Sequence, residues 1–136
     1  MYLHSLKERP LYRNEAAFSK ALVQALRKHG WFVQRIESGE TGKGIPDIYA
    51  VAPNKQAFWF ELKCMRRANT EQFESISWRP GQQSWLNEVT RRGQNAYTLA
   101  AFNNGIIQIP HSRIWTQNIV DVSQCVFYSG LNDLFK

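Results

Sequence analysis

Three residues in the middle of the chain could do chemistry together if the backbone brings them to one place. Asp47 directly follows Pro46, while Glu61 and Lys63 stand two apart in Ala57 to Lys63, a run rich in β-forming residues. Residues two apart in a strand share a face, so Glu61 and Lys63 lie with Trp59 on one side. Phe58, Phe60 and Leu62 fill the other side. Ile45 to Val51 is a second β-rich run, and Ala52 to Gln56 between them reads as a hairpin loop. Pairing symmetric about Asn54 sets Val51 opposite Ala57, Tyr49 opposite Trp59 and Asp47 opposite Glu61. Directly opposed side chains have Cβ atoms ~5 Å apart, so two anions there repel. A divalent cation bridging the carboxylate oxygens would relieve that repulsion.

Two helices must carry anything else that joins these residues. Asn14 to His29 reads as the first, with Asn14 as N-cap and Gly30 as its stop. Glu15 falls in line with its apolar stripe of Phe18, Leu22 and Leu26, although the helix dipole alone would favour a first-turn acid. Pro80 to Arg92 reads as the second, with Pro80 suited to the first turn and Gly93 at the end. Gln82 there falls beside Trp85, Leu86 and Val89, and taken alone it reads as a partly exposed amide. Trp31 to Ile36 reads as a strand, and Ser38 to Gly44, with three glycines, as a loop. Tyr97 to Phe102 and Ile106 to Ile109 read as strands around an Asn-Asn-Gly turn. Arg66 to Arg79 is polar and ambiguous, and the chain from His111 onward is mixed. The expected order is α-β-β-β-α-β-β, an α/β single domain with a core of about residues 14–110 and a C-terminal extension over 111–136.

Composition agrees with one globular domain. Of 136 residues, 43% are hydrophobic and 21% charged, which excludes a disordered chain. No apolar stretch approaches the ~18 residues of a membrane span. Met1 to Pro10 lacks the apolar core of a signal peptide, so a cytoplasmic location is expected, which includes a phage protein at work in a bacterial host. The net charge is +6, a balance that suits polyanionic partners. Cys64, Cys125 and three scattered histidines have no zinc-ligand spacing, so any metal should be a hard, oxygen-bound ion.

Gly44-Ile45-Pro46-Asp47 followed by Glu61-Leu62-Lys63 resembles the core motif of the PD-(D/E)xK nuclease superfamily. Glu15 upstream and Pro80-Gly81-Gln82-Gln83-Ser84-Trp85-Leu86 downstream narrow the resemblance to the VRR-NUC branch, over about Glu15 to Ile109. It implies a restriction-endonuclease-like fold, a central mixed sheet flanked by helices. It also implies Mg²⁺- or Mn²⁺-dependent hydrolysis of DNA phosphodiesters, with branched substrates such as four-way (Holliday) junctions. On that resemblance Asp47, Glu61 and the Leu62 carbonyl would bind the metal, and Glu15 would do so directly or through water. Lys63 would orient the attacking water or stabilise developing charge, and Gln82 would steady a ligand or the water. The bland account of the same set is surface acids in ordinary salt bridges.

Lys43, Arg66, Arg67 and Arg79 flank the expected cleft and would contact DNA phosphates. Arg91 and Arg92 are equally explained as cations at a helix C-terminus. Two other functions fit the same motif: a sequence-specific restriction-type endonuclease, and a non-catalytic DNA-binding or nuclease-inhibiting protein of this fold. One cutting centre per chain and two cuts per junction lead to an expected homodimer. The apolar tail (Ile119, Val120, Val122, Val126, Phe127, Leu131, Leu134, Phe135) would either form its interface or pack on its own domain. Neither a membrane nor a small-molecule cofactor is expected.

Overall fold

A computed structural model describes residues 10–36 and 44–136. Helix α1 (Glu15–Lys28) starts where expected: the Asn14 side chain accepts from the Ala17 N–H at 2.8 Å. Its buried stripe is Phe18, Leu22, Val23 and Leu26. Strands β1 (Phe32–Arg35), β2 (Ile48–Val51) and β3 (Ala57–Cys64) follow as an antiparallel meander. The hairpin register is the expected one, with Val51 opposite Ala57 and Tyr49 opposite Trp59.

After β3 the chain makes the short strand β4 (Phe73–Ser75), helix α2 (Gln82–Arg91), and the hairpin β5 (Asn95–Phe102) and β6 (Gly105–Pro110). Strand β5 runs parallel to β3, with Glu61 level with Thr98 and Lys63 level with Ala100. The six-stranded sheet has the order β1-β2-β3-β5-β6-β8, where β8 (Val126–Tyr128) pairs antiparallel with β6. Strand β7 (Ile119–Asp121) pairs with β4 in a separate ribbon.

Alternation along the strands splits the core in two. One face, with Ile48, Phe60, Leu62, Leu99 and Ala101, packs beneath α1. The other, with Ala96, Ala100, Phe102, Ile107 and Ile109, packs with Leu86 of α2 and with Ile76, Trp78, Trp115 and Val120. The mixed α/β sheet flanked by helices is as expected, with two differences. Strands β4, β7 and β8 add to the expected order because each is three residues long and owes its form to distant partners. Pro80 precedes the Gly81 N-cap and therefore stands outside the first turn of α2.

The tail is divided. Val120 is buried, and Leu131, Leu134 and Phe135 pack against the α1 side of the core. Ile119, Val126 and Phe127 are exposed. Among the described residues no helix is long and apolar enough to cross a membrane, and both cysteines are free thiols.

Candidate active site

The end of β3 outruns its neighbour. The β2–β3 ladder stops at Ile48 opposite Phe60, one residue short of Asp47. Freed from the ladder, the Asp47 carboxylate crosses to β3 and accepts the Leu62 N–H at 2.9 Å through Oδ2. The Asp47 main chain stays anchored, its carbonyl accepting from the Ile36 N–H at 2.7 Å. Within a strand a residue's N–H and C=O point to the same side, so the Leu62 carbonyl also faces this open end beside Asp47.

Glu61 and Lys63 point to the opposite face from Leu62 and meet the start of α2. Gly81, with φ +86°, caps that helix in the left-handed region and leaves Gln82 as its first residue. The turn also lies close to Gly44, whose missing Cβ would stand 2.6 Å from the Gly81 carbonyl oxygen. Gln82 is 1% exposed, contrary to the surface amide expected from its position alone. Its Oε1 accepts from Lys63 Nζ at 3.0 Å and from the Arg79 N–H at 2.8 Å, and its Nε2 donates to Glu61 Oε2 at 3.0 Å. Lys63 Nζ also lies 3.4 Å from Glu61 Oε2.

Glu61 is the group under electrostatic stress. It is 2% exposed, and its Oε1 has no hydrogen-bond partner among the described residues. Burial, then the nearby Asp47 charge, push its pKa up to about 7, against the opposing pull of Lys63. Glu15, at the first turn of α1, is also raised, chiefly by burial, with Lys63 and Arg79 pulling it down and Asp47 pushing it up. Together these residues line one open cleft of about 650 Å³ with Arg35, Arg79 and Ser19.

An orphaned buried carboxylate oxygen, a second acid across the strand end and a main-chain carbonyl make an all-oxygen donor set. That set fits a hard divalent cation and suits no soft one. Glu15 reaches the same cleft without closing the group: among the described residues no three acids, histidines or cysteines converge as a metal-ligand cluster. Its place suits contact through water.

The basic residues sort unevenly. Arg79 lines the cleft. Arg35, which nothing in its sequence setting singles out beyond its charge at the end of a β-run, lines it too. Arg67 is engaged elsewhere: its guanidinium donates to Glu74 at 2.9 Å and lies over the Phe102 ring. Arg66 is exposed beyond the end of β3. Arg91 and Arg92, at the end of α2, both ion-pair with Glu88. Lys43 lies outside the described residues.

A model of the archaeal Holliday junction resolvase (Hjc) family matches residues 11–77. No curated protein matches the chain. Among solved structures, a VRR_NUC domain is 20% identical with a TM-score of 0.50, the match covering 65% of this chain and 85% of that one. The Hjc of Archaeoglobus fulgidus, a Holliday junction resolvase from an archaeal hyperthermophile, is 22% identical with a TM-score of 0.55 over 78% of this chain and 85% of that one. The likeness to these structures shows the fold, and on it the cleft residues stand at the positions of the motif that the sequence carries.

Proposed function

We propose that this chain is a metal-dependent endonuclease selective for branched DNA, with four-way junctions as its substrate class. One observation carries the chemistry: Glu61, Lys63 and Gln82 are joined by direct hydrogen bonds at one strand end, the Leu62 N–H holds Asp47 beside them, and a buried Glu61 oxygen has no partner among the described residues. The junction preference rests on the match to the Hjc family model and the likeness to an archaeal junction resolvase.

Asp47, Glu61 and the Leu62 carbonyl would hold Mg²⁺ or Mn²⁺, with Glu15 touching it through water. When bound, such an ion neutralises phosphate charge and acidifies water for attack on phosphorus. The chain's own groups set the geometry. Leu62 N–H fixes the Asp47 carboxylate. Gln82 holds Glu61 and Lys63 in one arrangement. The Lys63 ammonium, kept at the cleft by Gln82, stabilises negative charge that grows on the phosphate and its attacking oxygen. Arg35 and Arg79 hold flanking phosphates of the bound strand.

Two opposed cuts need two such centres, so the working unit is a pair of chains related by a two-fold axis. Since much of the tail packs on its own domain, only its exposed Ile119, Val126 and Phe127 remain for the interface.

The test is cleavage of four-way, flap, duplex and single-stranded DNA with Mg²⁺, Mn²⁺ or EDTA. Expected is metal-dependent cutting with the junction preferred. Asp47→Asn should be inactive yet folded, because an Asn oxygen can still accept the Leu62 N–H. Mixing it with wild-type chains should yield nicked junctions. Equal cutting of every substrate, or full activity in Asp47→Asn, would overturn the proposal.

A further inference from the structure

The outer flank of α2 borders a second cavity, of about 660 Å³, lined among others by Ser84, Asn87, Glu88, Arg91, His111 and Arg113. Helix α2 begins at Gln82, behind the cleft residues Glu61 and Lys63, and its other end, where Arg91 stands, is roughly 14 Å away along the axis.

Two polar atoms in this lining are buried and have no partner among the described residues: His111 Nδ1 and Asn87 Oδ1. His111 itself is 2% exposed. An unpaired polar group in such a place costs about 1–3 kcal/mol, so a ligand that satisfies both has a ready source of affinity.

The ring's hydrogen-bond network determines what each atom wants. Burial holds His111 neutral, its pKa down to about 4, so one ring nitrogen donates and the other accepts. Trp78 Nε1 donates to Thr98 Oγ1 at 3.0 Å, and Thr98 Oγ1 lies 2.8 Å from His111 Nε2. If Nε2 carried the proton, the buried Thr98 hydroxyl hydrogen would be stranded. The hydroxyl therefore donates to Nε2, and Nδ1 bears the ring proton. The lining residues thus hold one buried donor, at His111, and one buried acceptor, at Asn87, just behind the cavity wall.

A simple anion answers the donor and not the acceptor. A nucleobase edge carries both functions on one planar group, and the cavity exceeds the size of a nucleotide. At the rim Arg91 and Arg92 pair with Glu88, so the cluster keeps a net positive charge to which Arg113 adds. Arg113 is braced there over the Trp115 ring.

We propose that this cavity seats one unpaired nucleotide, its base against His111 and Asn87 and its phosphate against Arg113 and Arg91. The nucleotide is either free or an unpaired residue of bound DNA, and the site is independent of the catalytic cleft.

Nuclease-dead Asp47→Asn chains serve for binding, so failure of the cleavage chemistry leaves this test intact. The chain is titrated by calorimetry with dAMP, dGMP, dCMP, dTMP and inorganic phosphate. Anisotropy follows labelled duplexes with one unpaired nucleotide or none. Either the nucleotides should bind at least about tenfold tighter than phosphate, or the bulged duplex at least about tenfold tighter than the continuous one. Which of the two holds identifies the source. Asn87→Leu should abolish that margin, and Arg113→Ala, a surface change, should reduce it. Cleavage of four-way junctions by chains carrying only Asn87→Leu should be unchanged. Phosphate binding as tightly as nucleotides would make this an anion site, and no margin with any probe at about 10 mM would leave a bridging water as occupant. Either result overturns the proposal, as does a margin that survives both substitutions.

Discussion

Gln82 clasps Glu61 from across the helix–sheet boundary, its Nε2 donating at 3.0 Å to the same carboxylate oxygen that Lys63 faces at 3.4 Å. Because Gln82 Oε1 also accepts from Lys63, a single neutral side chain fixes the distance between the acid and the base of the motif.

Gln82→Ala should therefore damage stability and turnover together. Removing a buried amide with three partners leaves Glu61, Lys63 and the Arg79 N–H short of hydrogen bonds, at a cost of about 1–3 kcal/mol. Denaturant melts should show that loss, and single-turnover cleavage should slow by about tenfold or more. A stable, fully active Gln82→Ala would reduce Gln82 to packing.

Lys63 has a side chain only 13% exposed and already bonded within the site, which suits a transition-state role better than strand capture. Lys63→Ala should lower the single-turnover rate by about 10²–10⁴-fold while junction affinity changes little. Parallel losses in rate and affinity would make it a phosphate contact.

The Glu61 shift predicts a particular dependence of stability on pH. Its carboxyl holds its proton more tightly in the folded chain (about 7) than in the unfolded one (4.5). Its contribution is thus fully present below pH 4.5 and lost as pH rises through 7. His111, with its folded pKa lowered to about 4, acts in the other sense below pH 6.5, so the comparison must be with Glu61→Gln. In EDTA, scanning calorimetry should find Glu61→Gln at least as stable as wild type at pH 8, with the advantage shrinking toward pH 5. Mg²⁺ should raise the wild-type melting temperature more at pH 8 than at pH 5.5, because the ion competes with a proton for Glu61.

The arginines should separate by assay. Arg35→Ala and Arg79→Ala, both in the cleft, should each weaken DNA binding and reduce the slope of log affinity against log salt by about 1. Arg67→Ala should leave that slope alone and lower the melting temperature, since it removes the cation from the buried Glu74 and leaves that carboxylate with Asn69. A reduced salt slope in Arg67→Ala would return it to the DNA surface.

How far such residues can be read from the chain depends on how local their causes are. Asn14, the α1 stripe and the β2–β3 register follow from caps, periodicity and loop length, all short-range signals, and the structure has each in place. The approach of Asp47 and Glu61 follows from that register, but the partner of Asp47 does not. It turns to the Leu62 N–H because β2 ends at Ile48, a fact of the sheet and not of the motif. The burial of Gln82 needs the α2–β3 packing across the parallel crossover. Strands β4, β7 and β8 are three residues each, too short for a period, and are made by partners more than 15 residues away. Arg35 and Arg67 carry the same charge, and only the position of Glu74 separates a cleft residue from a structural one.

The pairing of β3 with β5 bears on when the protein becomes active during its synthesis. A parallel pair cannot close through a tight turn, and here the intervening residues 65–94 must be made first, with α2 and Gln82 among them. Glu61 and Lys63 leave the ribosome long before the strand that holds β3 flat, and non-local pairing of this kind forms slowly. Chains stalled before Phe102 should be inert toward DNA, since neither Gln82 nor the sheet's centre can dock. The order of synthesis would thus keep an unfinished chain from forming the proposed site, because its acids are assembled only when the whole sheet is.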